Sequence, residues 1–92
     1  MARWHTSRSD GNAQRLYDVF EAHGFTVLKI GYPMDALILN GRRMALVDPK
    51  GSARTPVRPR QAALVKQFPD LCFLLYDETD AVEVLRRMRD GM

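Results

Sequence analysis

Residues 35–50 read DALILNGRRMALVDPK, and the reading of this stretch decides the fold. Two apolar runs, 36–39 and 44–47, lie on either side of Asn40-Gly41. Asn-Gly between apolar runs is a strong hairpin signal, because both residues tolerate positive φ. The runs are apolar at nearly every position, so the hairpin is expected to be buried on both faces. With Asn40-Gly41 as a two-residue turn, Leu39 pairs with Arg42 and Asp35 lies opposite Leu46. Side chains alternate with period two, so Asp48 and Lys50 share the face of Leu46. Asp35 and Asp48 then become diagonal neighbours, with Cβ atoms on the order of 7 Å apart. A three-residue loop would send the two aspartates to opposite faces.

Upstream, Ser9 or Asp10 suits a helix N-cap. Ala13, Leu16, Val19 and Phe20 follow at helical spacing, and Gly24 stops the helix after His23. Residues 25–30 read as a strand by their β-branched and aromatic content. Downstream, 49–57 is a loop rich in Pro, Gly and Arg. Residues 58–68 form a helix with Ala62, Leu64, Val65 and Phe68 facing inward, and 71–76 form a fully buried strand. Thr79 caps a last helix through about Arg89, with Val82, Leu85 and Met88 inward. The order is αβββαβα, an α/β fold with a central mixed sheet flanked by helices. A basic arm, residues 1–8, precedes a single domain over 9–92.

At 92 residues the chain holds one domain with a modest core, so dimerisation is expected on size alone. With 46% hydrophobic and 27% charged residues the composition is that of an ordered globular protein. No apolar run approaches the ~20 residues that cross a bilayer, and the first residues lack the apolar core of a signal peptide. Cys72 is the single cysteine and has no internal disulfide partner. A cytoplasmic protein without membrane contact is expected. Net charge is +3, unevenly spread. Residues 42–60 carry six cations against Asp48 alone, whereas 77–92 carry five acids and three arginines. A concentrated basic segment suggests a polyanionic partner; the plainer reading is a solvated basic loop.

Two acids and a lysine at the mouth of an apolar sheet cost several kcal/mol unless they pair or bind metal. Hard carboxylate oxygens suit Mg²⁺ or Mn²⁺; the plainer reading is an ion pair at strand ends. His5 and His23 have no partner at metal-ligand spacing, so zinc is not expected. His23 reads as a helix C-terminal residue, Cys72, Met44 and Met88 as core, and Glu83 with Arg86 or Arg87 as surface ion pairs. Trp4 beside Arg3 could stack on a base, anchor a subunit contact or belong to a loose tail.

Pro33-Met34-Asp35 followed, thirteen residues after Asp35, by Asp48-Pro49-Lys50 resembles the PD…(D/E)xK signature of restriction-endonuclease-like nucleases. The αβββαβα order is similar to the core of that fold. More narrowly, the chain resembles stand-alone VRR-NUC domains of phages and of larger DNA-repair nucleases. The matching pieces are Asp10-Gly11-Asn12, residues 31–35, Gly41-Arg42, Asp48-Pro49-Lys50, the basic residues from Arg54 to Arg60, and Gln61. The resemblance implies that Asp35, Asp48 and the carbonyl of Pro49 ligate Mg²⁺ or Mn²⁺. It implies that Lys50 orients or deprotonates the attacking water and steadies the phosphate, with Gln61 beside it as a further catalytic residue. Arg54, Arg58, Arg60, Lys66 and the arm residues Arg3 and Arg8 would hold DNA phosphates. A homodimeric endonuclease that cuts branched DNA, such as a Holliday junction, is the implied activity.

The chain departs from the family pattern in three places. Met34 stands between Pro33 and Asp35, the second acid is Asp48 where Glu is usual, and Pro49 follows it. The first helix carries Ala13-Gln14-Arg15 where relatives often have a Glu, leaving Asp10 and Asp18 as candidates. The departures at Met34 and Pro49 favour one alternative, a catalytically inactive DNA-binding module of the same fold; a second, a structural or regulatory dimer that binds protein, rests on Trp4 and the acidic C-terminal helix.

Overall fold

The computed structural model describes residues 11–51 and 54–90. Seven elements follow in order: α1 (Gly11–Ala22), β1 (Thr26–Lys29), β2 (Ala36–Asn40), β3 (Arg43–Pro49), α2 (Pro59–Gln67), β4 (Cys72–Leu75) and α3 (Glu78–Asp90). They build the expected α/β fold around one four-stranded sheet in the order β1-β2-β3-β4. The first three strands are antiparallel, and β4 runs parallel to β3. The sheet is therefore mixed, and α2 is the crossover that a parallel β3–β4 pair requires.

The hairpin differs from expectation in its turn. Asn40 pairs with Arg43, so Gly41-Arg42 is the two-residue connection and not Asn40-Gly41. Gly41 has φ +62°, and no described non-glycine residue has positive φ. A positive φ at the first central position alone is the signature of a type II′ turn. Such a turn asks left-handed backbone of Gly41 only, whereas an Asn40-Gly41 turn of type I′ asks it of both residues. The register moves by two residues, Ala36 pairing with Val47, which leaves every side chain on the face first assigned to it.

One face of the sheet carries the core. Ala36, Ile38, Ala45, Val47 and Leu75 are buried against Leu16, Tyr17 and Phe20 of α1 and Ala81, Val84, Leu85 and Met88 of α3. The stripe on α3 is thus i, i+3, i+4, i+7; Val82, expected inward, is exposed. Asp77 caps this helix in place of Thr79, its Oδ1 accepting the Asp80 N–H at 3.1 Å. Asp80 in turn accepts the Tyr76 N–H at 2.8 Å.

The opposite face is only partly covered, which corrects the expectation of a hairpin buried on both sides. Leu37, Leu39 and Leu46 are half-buried, and Met44, read as core, is 44% exposed. The reason is the length of α2. Nine residues span about 13 Å, enough to cover β4 but not the whole sheet. Cys72 is buried on β4 as expected, whereas Phe73 and Leu74 are half-buried. Of the α2 residues expected inward, Leu64 and Val65 are half-buried, and Ala62 and Phe68 are exposed. The buried residue of α2 is polar: Gln61.

Candidate active site

The C-terminal end of β3 carries Asp48, Pro49 and, one step beyond, Lys50. The Lys50 N–H still bonds to the Leu75 carbonyl at 2.8 Å, so the parallel ladder holds this residue in place after Pro49. Lys50 is 5% exposed. A buried ammonium needs acceptors for three N–H groups, and Lys50 has three. Its Nζ lies 2.8 Å from Asp48 Oδ2, 2.9 Å from Gln61 Oε1 and 3.2 Å from the Pro56 carbonyl.

Gln61 is 4% exposed in the first turn of α2. Pro59 opens that helix, a position where the missing N–H costs nothing. Gln61 accepts from Lys50 through Oε1 and donates through Nε2 to the Pro33 carbonyl at 3.0 Å. It thereby ties α2 to the loop that leads into Asp35.

Asp35 immediately precedes β2, and its carbonyl accepts the N–H groups of Ile30 at 2.9 Å and Gly31 at 3.0 Å. Continuing the β2–β3 register by one residue sets Asp35 directly opposite Asp48. The two aspartates thus come to one end of the hairpin, across the strands and not on the diagonal first inferred. Asp35 Oδ2 accepts the hydroxyl proton of Tyr17 from α1.

Tyr17 is the site residue that reading the sequence missed. It is 2% exposed, and Lys29 Nζ stands 5.4 Å from its ring centroid. The signal was there: Ala13, Leu16, Tyr17 and Phe20 together make the full i, i+3, i+4, i+7 stripe, and a buried phenol needs an acceptor. Of the acids considered on this helix, Asp18 does not serve. Asp18 accepts a hydrogen bond from Gln14 at 2.9 Å on the exposed side, and Asp10 lies outside the described residues.

The remaining basic residues divide. Arg54, Arg58 and Arg60 are exposed around the loop between β3 and α2; Arg60 lies 5.9 Å from the Tyr32 ring centroid. Lys66 is exposed in the last turn of α2. Arg42 sits in the hairpin turn, at the far end of β3 from Asp48. Arg43 bonds to the Met88 carbonyl at 3.1 Å, which gives it a structural task away from the site. Arg3, Trp4, His5 and Arg8 lie outside the described residues. His23 Nδ1 lies 2.9 Å from the Val19 carbonyl, at the end of α1 as expected.

Among the described residues no three His, Cys, Asp or Glu side chains come together as a metal cluster. A cation here would rest on the two carboxylates, the Pro49 carbonyl and water. That set suits Mg²⁺ or Mn²⁺, since Mg²⁺ keeps several waters and takes one or two carboxylates. Oδ2 of Asp48 is engaged by Lys50 and Oδ2 of Asp35 by Tyr17, which leaves Oδ1 of each to a cation. Backbone groups alternate along a strand. The Lys50 N–H points toward β4, so the Pro49 carbonyl points toward β2 and Asp35. No described helix is long and apolar enough to cross a membrane. Compared with family models, curated proteins and solved structures, the chain matches none.

Proposed function

We propose that the chain is a Mg²⁺- or Mn²⁺-dependent endonuclease that hydrolyses phosphodiester bonds in DNA. The observation that carries this reading is the cluster of Asp48 with buried Lys50 and Gln61, at the end of the hairpin where Asp35 also stands, with exposed Arg54, Arg58 and Arg60 on the loop and helix start whose Pro56 carbonyl Lys50 bonds. Asp35, Asp48 and the Pro49 carbonyl would hold the cation. When bound, it would lower the pKa of a water and offset charge on the phosphate.

The chain's own residues supply the rest. Lys50 keeps its bonds to Asp48 and Gln61 and gives up the longer one, to the Pro56 carbonyl, for a phosphate oxygen. Gln61 fixes the direction of the ammonium and anchors the loop before Asp35. The exposed arginines position the nucleic-acid backbone without reading bases. Branched DNA as substrate and a homodimeric assembly follow from the resemblance to stand-alone VRR-NUC domains. Two sites in one dimer suit paired incision.

The second reading is a DNA-binding module without catalysis. It is favoured by the saturation of Lys50, whose three donors already have partners. The test is cleavage of labelled four-way-junction and plain duplex DNA with Mg²⁺ or Mn²⁺, comparing wild type with Asp35→Asn, Asp48→Asn and Lys50→Ala. The nuclease reading expects metal-dependent cutting that falls at least about a hundred-fold in each variant, the lower end of acid–base contributions. Salt-sensitive DNA binding without cutting by wild type would establish the binding module instead.

A further inference from the structure

We infer that Tyr17 is a positioning residue for the cation site, holding the Asp35 carboxylate in the orientation that presents Oδ1. This rests on the metal-dependent reading above. The phenol is buried in the core between α1 and the sheet, and its hydroxyl donates to Asp35 Oδ2. The ring belongs to the same buried cluster as Leu16 and Phe20 of its helix stripe and carries the Lys29 ammonium near its face.

Asp35 needs such a support for a structural reason. It stands just before β2, outside the ladder, so strand pairing fixes its carbonyl but not its carboxylate. A carboxylate free to rotate about χ1 and χ2 must be ordered when a cation binds, and that ordering weakens affinity. The hydroxyl removes this cost in advance. It also occupies one oxygen, so Asp35 serves as a monodentate ligand. Asp48 is held in the same manner by Lys50. The two carboxylates are thus each oriented by one buried donor, a phenol on one side and an ammonium on the other. Through Tyr17, α1 contributes to the site by orienting a ligand.

The test is Mn²⁺ binding, measured by calorimetry and by electron paramagnetic resonance of free Mn²⁺, for wild type, Tyr17→Phe, Asp35→Asn and the double variant. Exposed Tyr76→Phe serves as the control. Loss of an outer-sphere hydrogen bond costs roughly 10–100-fold in metal affinity. Tyr17→Phe is expected to weaken Mn²⁺ by that factor with one site retained. Asp35→Asn should weaken it further, and the double variant should be no weaker than Asp35→Asn alone. Such non-additivity is what action through Asp35 requires and what a packing defect would not give. A second readout needs no variant: the Tyr17 ring resonances of wild type should shift on adding Mg²⁺, with the midpoint of binding. If wild type binds and Asp35→Asn does not, but Tyr17→Phe binds within two-fold of wild type, the inference fails while the metal reading stands. If wild type takes up no Mn²⁺, both fail together.

Discussion

Replacing Lys50 by methionine keeps the length of the side chain and removes only its charge and donors. In the folded protein this takes the donor from three acceptors, of which the carbonyl of exposed Pro56 can turn to water. The Asp48 carboxylate, with its side chain 13% exposed, loses its counter-ion at 2.8 Å, and the buried Gln61 oxygen loses its donor at 2.9 Å. Removing one member of a buried ion pair costs about 3–5 kcal/mol, chiefly because the remaining charge is left without compensation. Domains of this size have about 5–15 kcal/mol in all. At about 4–8 °C per kcal/mol for a chain of this length, the melting temperature should drop by at least about 12 °C. The second substitution decides the cause. Adding Asp48→Asn to Lys50→Met removes the stranded charge, so the double variant should be more stable than Lys50→Met alone. The assay is thermal melting by circular dichroism in chelator, with guanidinium titrations to check that the denaturant slope is unchanged. A Lys50→Met protein melting within about 2 °C of wild type, where one kcal/mol is worth about 4–8 °C, would refute the argument. So would a double variant no better than the single.

Two further outcomes follow from the backbone and the core. Gly41→Ala should cost about 1–2 kcal/mol, because a Cβ there meets nothing within 4 Å and the penalty is that of φ +62° alone; no measurable cost in urea titrations would count against a positive φ at this position. Burial pushes the Cys72 thiol above its ordinary value of 9.0, so the reactive thiolate is scarce at neutral pH. Modification by a thiol reagent should run at least roughly ten-fold slower in the folded protein than in guanidinium, and equal rates would mean β4 opens readily.

The order of elements and the parity of the hairpin were legible in residues 35–50 because both rest on local rules. Apolar runs of strand length, a glycine turn and an alternation of period two do not depend on what packs above the sheet. Parity even survived the misplaced turn: exchanging Asn40-Gly41 for Gly41-Arg42 moves the register by two, and a shift of two leaves the facing unchanged. Asp48, Lys50 and Gln61 could be named together from the family pattern, but their contacts could not, since Lys50 and Gln61 meet across eleven residues. Burial was the least legible property. Met44 and Val82 sit in apolar patterns yet lie exposed, because a nine-residue α2 leaves part of one sheet face open and the apolar stripe of α3 turns away from Val82. The chain's own residues thus determined which strands form and which charges gather at their ends. The packing of α1 against the sheet decided that the partner of Asp35 is a phenol from a helix eighteen residues away. Hydrogen bonds between buried side chains depend on where whole elements come to rest, and no local spacing encodes that.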